Sequence, residues 1–376
     1  MCGTAKSRAT VVMKIADRKR SLLLAGAVAL LTILVYLPAL RNGFVTWDDP
    51  FYVTDNLHIR SLGVNFFRWA FLDFSSGNWH PLAWLSHALD YAVWGLNPFG
   101  HHLTSILIHA TNAFLVVFLS AKLINIWKAR GKGGQQEASC EGETLIAAGV
   151  AGLLFGLHPL HVESVVWVSE RKDLLCTLFY LLSVIAYLSY GSAKDGRLFG
   201  FYRAYFLSLL LFLLALASKP MAVSLPLILL VLDWHPLGRF RSPAAWRRAL
   251  AEKIPFLAAS GFVAILTIYA QNAAGAMSGM QATSLETRIA LVPGKLLLYL
   301  RKTAIPLHLS PFYPYPRLAS LSTGDVFSFL LIGGFTLFSI MTARRNKLWL
   351  AAWSYFVITL LPVVGIVQVG GQAIAD

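Results

Sequence analysis

The apolar run SLLLAGAVALLTILVYLPAL, residues 21–40, decides the fold class of this chain. It carries no charged residue and is long enough for an α-helix to cross a bilayer. Eight further apolar runs follow it, at residues 103–123, 144–157, 174–190, 205–217, 220–232, 254–270, 326–343 and 348–365. The run at 144–157 is of marginal length. Charged residues make up only 13% of the chain, against about 25% in soluble domains. The sequence therefore predicts an all-α polytopic membrane protein with about nine transmembrane helices.

The distribution of charge predicts the topology. An N-terminus in the cytoplasm puts alternate segments on the cytoplasmic side, namely residues 1–20, 122–143, 191–203, 233–253 and 344–347. These segments hold 21 of the 32 Lys and Arg residues but only 7 of the 18 acidic ones. Such an excess of basic residues is typical of cytoplasmic loops. The net charge of +14 is therefore explained by the basic cytoplasmic segments, and binding to nucleic acid is not predicted.

Two long segments are predicted to lie on the outer face within a single transmembrane domain of residues 1–376. Residues 41–100 form the first, and the leucine spacing within 81–95 predicts an amphipathic helix at the membrane interface. Residues 271–324 form the second. Their portion 288–306 is only half apolar, and if it crossed the bilayer the basic segment 344–347 would lie outside. It is therefore predicted to be a re-entrant or interfacial helix.

Asp48 and Asp49 are the leading candidates for chemistry. They follow the first apolar run, within Phe-Val-Thr-Trp-Asp-Asp-Pro-Phe-Tyr at residues 44–52. Adjacent residues of an extended segment point in opposite directions, so one carboxylate could act as a general base while the other braces the loop or binds the acceptor. A solvated turn before Pro50 and a metal-binding pair are the other interpretations. A divalent metal is possible but not predicted, and the three cysteines show no zinc or disulfide spacing.

Cationic residues near the predicted outer ends of the spans are candidates for binding phosphate. Arg171 and Lys172 lie in Glu-Arg-Lys-Asp at 170–173, and Lys219 lies between two apolar runs. Arginine offers a bidentate fork and lysine a point charge, and both suit a lipid-linked phosphate at the headgroup level. The structural alternative is that these side chains extend to the interface and pair with Glu170.

Aromatic, imidazole and acidic side chains of the same face are candidates for substrate binding. Trp79 and His80 lie in Asn-Trp-His-Pro, residues 78–81, where a ring face could stack on a sugar. The motif His-Pro-Leu-His-Val-Glu at 158–163 adds three more polar groups. The alternative is that these residues are structural. The substrate-binding candidates are Trp79, His80, His158, His161, Glu163 and Glu170.

These motifs resemble those of bacterial proteins related to the TMTC-type O-mannosyltransferases, within the GT-C glycosyltransferase superfamily. The matching stretches cover nearly the whole chain: residues 47–50, 78–87, 95–102, 157–164, 169–173, 218–221 and 312–316. The resemblance implies a GT-C-type helical bundle that uses a polyprenyl- or dolichyl-phosphate sugar, with the acidic pair of the first outer loop as catalytic residues. Such relatives usually continue into tetratricopeptide repeats and further spans, so the chain is expected to be truncated at its C-terminus.

The favoured function is transfer of a sugar, with inversion, from a polyprenyl-phosphate donor to a protein or glycan hydroxyl on the outer face. A phosphate leaves without being protonated, so a single carboxylate base suffices, and no cofactor beyond the lipid-linked donor is predicted. The alternatives are a transporter or flippase for a lipid-linked sugar, and a membrane scaffold without activity. Ionisable residues at span ends rather than at mid-membrane favour the enzyme over the transporter. The expected location is a bacterial inner membrane, with the site on the periplasmic or outer face.

Overall fold

The computed structural model describes residues 2–74, 77–130, 141–192, 198–273, 275, 284–314, 322–366 and 372–374. The described α-helices are α1 Cys2–Tyr36, α2 Val64–Leu72, α3 Pro81–Trp94, α4 Pro98–Lys128, α5 Glu141–Leu157, α6 Val162–Val166, α7 Arg171–Gly191, α8 Leu198–Ser218, α9 Leu225–Trp234, α10 Pro243–Ala251, α11 Ile254–Ala273, α12 Leu285–Ala290, α13 Val292–Ala304, α14 Thr323–Thr342 and α15 Lys347–Leu360. Short 3-10 turns lie at Leu37–Arg41, His58–Arg60, Pro159–His161, Val168–Glu170 and Pro220–Ser224, and a π-turn lies at Pro50–Thr54. Two short antiparallel strands, β1 Tyr313–Pro314 and β2 Gln372–Ile374, complete the described structure.

The all-α membrane class is confirmed, but the count of nine spanning helices is not. Among the described residues, five helices are long and apolar enough to cross a membrane. A sixth crossing results if Gly142–Leu157 and Pro159–Val166, which meet at a bend of 46°, form one broken span. The predicted runs 205–217, 220–232 and 348–365 correspond to the shorter apolar helices Tyr202–Ser218, Pro220–Trp234 and Lys347–Leu360.

Local sequence signals set where several helices begin. At α4, the Asn97 side chain accepts a hydrogen bond from the Phe99 amide, and Pro98 occupies the first helical position. At α14, Ser322 and Asp325 form a reciprocal capping box. These caps satisfy backbone amides that have no partner within the helix.

Close packing of α5 against α1 and α4 depends on two glycines one helical turn apart. A Cβ at Gly152 would lie 2.2 Å from Val117 Cγ2, and one at Gly156 would lie 2.5 Å from Thr32 Oγ1. This small-xxx-small pattern lets helix backbones approach each other in a membrane. The three helices form one corner of the bundle.

Helix α7 connects two polar regions. Its first residue, Arg171, and Tyr187 in its fifth turn are sixteen residues apart, or about 24 Å along a helix. The candidate residues from the predicted outer loops gather around its beginning. Basic segments predicted to be cytoplasmic gather around its end, where Asp233 accepts hydrogen bonds from Tyr187 and pairs with Arg239 and Lys253.

Both predicted outer-face helices exist as helices. The segment 81–95 forms α3, with Trp84, His87 and Asp90 among its buried residues, so α3 rests on protein along one side. The segment 288–306 contains α13, which packs against α14. Their depth in a membrane stays a prediction. Tyr315 and Pro316 of the predicted aromatic motif lie outside the described residues.

Candidate active site

Asp49 braces the first outer loop against the beginning of α7. Its side chain is 1% exposed. One carboxylate oxygen accepts hydrogen bonds from the Ser169 amide at 3.0 Å and from the Ser169 hydroxyl, and the other accepts from the Val45 amide at 2.8 Å. The contact joins residues that are 120 positions apart in the chain. Asp49 therefore fixes the loop in place, and its oxygens are already occupied by protein donors.

Asp48 is exposed at the rim of the same turn, and its carboxylate makes no hydrogen bond to another described side chain. Desolvation raises the pKa of this carboxyl, the charge of Lys172 lowers it, and the charges of Glu170 and Asp49 raise it further. The net effect is a pKa above the usual aspartate value. Asp48 is thus an accessible carboxylate beside a cation, which is what a general base for a hydroxyl requires.

A π-turn directly after the acidic pair positions Tyr52 under the site. Pro50 begins this turn, and the Tyr52 amide donates to the Asp48 carbonyl at 2.9 Å. The Tyr52 ring is buried and stacks on Trp84 at 4.6 Å and on His80 at 5.3 Å. Lys172 lies 4.8 Å from the ring centroid of Tyr52. Single π-turns are frequent at functional sites, and here the turn holds both the loop and the lysine.

Two lysines and two carboxylates form a connected network beside Asp48. Lys172 Nζ lies 2.7 Å from Glu170 Oε1, while Lys219 Nζ lies 3.7 Å from Glu170 Oε2 and pairs closely with Asp173. The side chain of Lys219 is 26% exposed and that of Lys172 12% exposed. Both lysine side chains are thus partly exposed rather than fully enclosed. The structure thus brings Lys172, Lys219 and Glu170 together, as the predicted site requires.

Arg171 lies apart from this network, although it is adjacent to Lys172 in the sequence. Its side chain is fully buried and pairs with Asp90. Its guanidinium also donates to the His101 carbonyl at 2.5 Å and to the hydroxyls of Ser86 and Ser105 at 3.3 Å. A guanidinium committed to these acceptors holds α3, α4 and α7 together. This geometry is at odds with the predicted phosphate contact, since a ligand would have to displace buried partners.

His80 is enclosed by protein, whereas Trp79, the other predicted stacking residue, is only partly buried. His80 is 2% exposed and lies between Tyr52 and Trp84. Burial lowers the pKa of His80 to about 3, and the charge of Lys172 contributes, so the ring is neutral at ordinary pH. Trp79 donates from its indole to the Phe71 carbonyl at 3.1 Å and packs against the main core. His80 therefore has no accessible face for a sugar among the described residues, while a contact of the partly exposed Trp79 with a sugar stays a prediction.

The motif at 158–163 forms a second cluster. His158 Nε2 lies 2.9 Å from the Thr303 carbonyl, which ties this turn to α13. His161 packs on Phe155 at 4.6 Å and on His109 at 5.6 Å. Glu163 is half-buried in the first turn of α6. The two histidines therefore pack the bend between α5 and α6 against α13 and α4. Contact of any of these three residues with a substrate stays a prediction.

Exposed aromatic rings border the site. Trp47, immediately before Asp48, is 56% exposed and lies 5.6 Å from Trp167 and 6.5 Å from Phe312 between ring centroids. Nearby, Lys302 contacts Tyr313, with its Nζ 3.8 Å from the ring centroid. The rim therefore combines surfaces that could stack on a sugar or contact an acyl chain.

Within the described part of the chain, no group of three or more His, Cys, Asp and Glu side chains is arranged to hold a metal ion. Four buried histidines near Arg171 might have suggested one: His80, His87, His101 and His102. The rings of His80, His87 and His101 pack on aromatic neighbours or on one another. The His102 ring lies beside the backbone of Gly43 and Asn42.

Sequence reasoning did not assign roles to Tyr52, Ser169 and Asp173. Tyr52 and Asp173 end the motifs that contain Asp48 and Lys172, so their positions within those motifs were a usable signal. Ser169 gave no signal, because its importance comes only from its contact with Asp49 across 120 positions.

Comparison with known proteins confirms the resemblance. The chain is 31% identical over 228 residues to Protein O-mannosyl-transferase Tmtc1 of Drosophila melanogaster, covering 58% of this chain and 24% of that protein. It is 30% identical over 180 residues to Protein O-mannosyl-transferase TMTC4 of Mus musculus, covering 47% of this chain and 24% of that protein. It is 32% identical over 132 residues to Protein O-mannosyl-transferase TMTC2 of Homo sapiens, covering 34% and 13% respectively.

The matched region thus spans at most about a quarter of the length of these curated relatives. No family model matches the chain, and no solved structure matches it significantly. The chain is a multi-helix membrane protein similar to TMTC-type O-mannosyltransferases.

Proposed function

We propose that this protein is a glycosyltransferase that moves a sugar from a polyprenyl-phosphate-linked donor to a hydroxyl of a protein or glycan, on the outer face of the membrane. The observation that carries the proposal is the different placement of two adjacent carboxylates. Asp49 is buried and bound by Ser169, and it thereby holds Asp48 exposed beside the Lys172–Glu170 pair. An exposed base next to cations is suited to transfer between a hydroxyl and a phosphate-linked sugar.

In the proposed step, Asp48 takes the proton of the acceptor hydroxyl as its oxygen attacks the anomeric carbon of the donor sugar. The new carbon–oxygen bond forms while the bond from that carbon to the phosphate oxygen breaks. The bonding electrons leave with the polyprenyl phosphate, which needs no proton. Attack opposite the leaving group inverts the anomeric configuration, and the step needs one base rather than the acid and base of a glycoside hydrolase.

Lys172 and Lys219 would stabilise the charge that develops on the leaving phosphate. Each is already paired with a carboxylate, so the network is close to neutral before the donor arrives. Glu170 holds both ammonium groups at one position and so orients them toward the donor. Arg171 acts indirectly in this proposal, by fixing the start of α7 through Asp90.

The names of the relatives support a choice of sugar and acceptor. The matched proteins are named protein O-mannosyl-transferases, which supports mannose as the sugar and a protein hydroxyl as the acceptor. Apolar helices around the site support a donor with a lipid anchor, because its polyprenyl chain can remain in the bilayer while its phosphate reaches Lys172. A bacterial inner membrane is the proposed location.

The test is release of polyprenyl phosphate from synthetic short-chain polyprenyl-phosphate mannose by the purified chain in detergent. Asp48→Asn is expected to lower the release at least about a hundredfold, the lower end of what general base catalysis contributes. Asp55→Asn is the matched control, because Asp55 is an exposed carboxylate of the same loop that bonds only to Thr54 among the described side chains. Full activity of a folded Asp48→Asn protein would rule out the assigned base.

A further inference from the structure

A cavity of about 690 Å³ lies at the opposite end of the molecule from the candidate active site. Its walls come from the end of α4, the end of α9, the segment 235–242, α10 and the start of α15. The lining residues are Ala129, Arg130, Trp234, Gly238, Phe240, Arg241, Trp246 and Lys347. Three of them are cations, and no acidic residue lines the cavity.

The three cations, Arg130, Arg241 and Lys347, are not neutralised within the described part of the chain. None of them forms an ion pair with a described acidic side chain, whereas the nearby Arg239 and Lys253 are both paired with carboxylates. Burial lowers the pKa of Arg130, and the positive charge of Arg241 lowers it further. Like charges that converge on one cavity without a counter-ion indicate a place for an anion.

Backbone geometry at Gly238 shapes the cavity around one of these cations. Gly238 has φ +49°, and a Cβ there would lie 2.2 Å from Arg130 Nη1. The Gly238 carbonyl also accepts from Arg241 Nε at 3.3 Å. The glycine therefore lets the Arg130 guanidinium lie against the backbone of this turn, within reach of Arg241.

Aromatic rings place the cavity at a boundary between water and lipid. Phe240 and Trp246 stack at 4.3 Å, and Trp246 is 47% exposed. Lys347 Nζ lies 5.6 Å from the ring centroid of Trp234. Tryptophans beside basic residues at helix ends are typical of the headgroup region of a bilayer.

We propose that this cavity binds the phosphate headgroup of an anionic phospholipid. The cations would contact the phosphate, and the aromatic rings would lie against the glycerol and the first acyl carbons. We favour a lipid over a soluble phosphate, because the cavity is open and the half-exposed ring of Trp246 gives it an apolar edge that acyl carbons would cover. The bound lipid would connect α4 and α9 of the main bundle with the hairpin of α14 and α15. This site is independent of the proposed transferase reaction.

The test is the thermal stability of the full chain, reconstituted in nanodiscs of phosphatidylcholine with increasing phosphatidylglycerol. Wild type is expected to show a saturable rise of the unfolding midpoint with phosphatidylglycerol. The variant Arg130→Gln/Arg241→Gln/Lys347→Gln is expected to need about tenfold more anionic lipid or to lose the rise entirely, since each basic residue contributes separately to the attraction. Gly238→Ala keeps every charge and is expected to weaken the response by displacing Arg130.

The control is Arg247→Gln/Arg248→Gln, which removes two exposed cations of α10 that do not line the cavity. It is expected to keep the wild-type response. An equal loss in this control would show a diffuse surface charge effect and overturn the site. A wild-type rise produced by millimolar inorganic phosphate or glycerol phosphate in pure phosphatidylcholine would reassign the cavity to a soluble anion. No preference for phosphatidylglycerol would also overturn the proposal.

Discussion

Asp48 and Asp49 are neighbours in the sequence, yet the fold uses their carboxylates in opposite ways. Alternation along an extended segment is the reason that the sequence predicts. The backbone instead bends at Asp48 and is helical at Asp49, with φ −60° and ψ −33°, so the turn sets the two directions. The local sequence does not say which one is buried, because that depends on Ser169, which lies 120 positions further along the chain. The structure resolves the question by covering Asp49 and leaving Asp48 exposed. Whether Asp48 is the base stays a prediction.

Asp49→Asn tests the bracing role. The NH2 group that replaces one carboxylate oxygen cannot accept a hydrogen bond, while the remaining carbonyl oxygen still can. Either the Ser169 donors or the Val45 amide therefore lose a buried charged acceptor. Such bonds contribute about 1.5–3 kcal/mol each, and we expect a destabilisation of that order. The measurement is the thermal midpoint in detergent. If Asp49→Asn left the midpoint unchanged while Asp48→Asn lowered it, the assigned roles of the two residues would be reversed.

The acidity of Asp48 gives a prediction about pH. A general base must be ionised, so transfer should fall as pH decreases through the pKa of Asp48, which lies above the usual aspartate value. Lys172 lowers this pKa and Glu170 raises it. Lys172→Gln should therefore move the acidic limb of the kcat/KM profile to higher pH, and Glu170→Gln should move it to lower pH. Limbs that stay in place, or move in the reverse directions, would contradict Asp48 as the titrating group.

Arg171 and Lys172 are adjacent basic residues, yet their side chains have different surroundings that the local sequence does not predict. Lys172 contacts Glu170 and Tyr52, whereas Arg171 turns into the bundle toward Asp90, 81 positions earlier. Both are basic residues in the first turn of α7, and local sequence cannot distinguish them. The burial of Arg171 depends on a carboxylate that α3 supplies.

At the scale of helices, α5 packs so closely on α4 that one added methyl group should lower the stability of the protein. Gly152→Ala should destabilise the protein by about 1–3 kcal/mol, because the Cβ would collide with the buried Val117. Gly261→Ala in α11 is the matched control, since nothing lies within 4 Å of its added Cβ. The comparison is the thermal midpoint of both variants in the same detergent. Equal midpoints would mean that α5 does not pack as closely as described.

A buried ion pair between the end of α9 and the start of α11 gives a second prediction. Lys253 and Asp233 are both fully buried and 2.5 Å apart between Nζ and Oδ2. Lys253→Met should cost less than the about 3–5 kcal/mol expected when a buried charge is left alone. The reason is that Asp233 keeps Arg239 at 3.0 Å and the Tyr187 hydroxyl as partners. The double variant Lys253→Met/Asp233→Leu should recover part of this loss.

Thermal unfolding of the two single variants and the double variant gives the coupling energy directly. Additive effects would show that the pair is not coupled. The sequence shows that Asp233 and Lys253 each border an apolar run. It does not show that they pair, because the fold brings them together.

Over the whole molecule, composition and apolar runs were enough to predict an all-α membrane protein. They did not fix the number of crossings, because the described apolar stretches Tyr202–Ser218, Pro220–Trp234 and Lys347–Leu360 are each shorter than eighteen residues. The apolar pattern of residues 144–157 did not predict the 46° bend that follows this run. The bend lies where Pro159 interrupts the helix. The separation of the two polar regions along α7 agrees with the predicted division of the loops between two faces.

The most direct test of the central claim follows a labelled donor in liposomes that contain the wild-type chain and an acceptor peptide. The account predicts that polyprenyl phosphate is released in equal amount to the sugar that becomes attached to the peptide, and that Asp48→Asn binds the donor without releasing it. Movement of intact donor between leaflets without release would contradict the account and identify the protein as a transporter of a lipid-linked sugar.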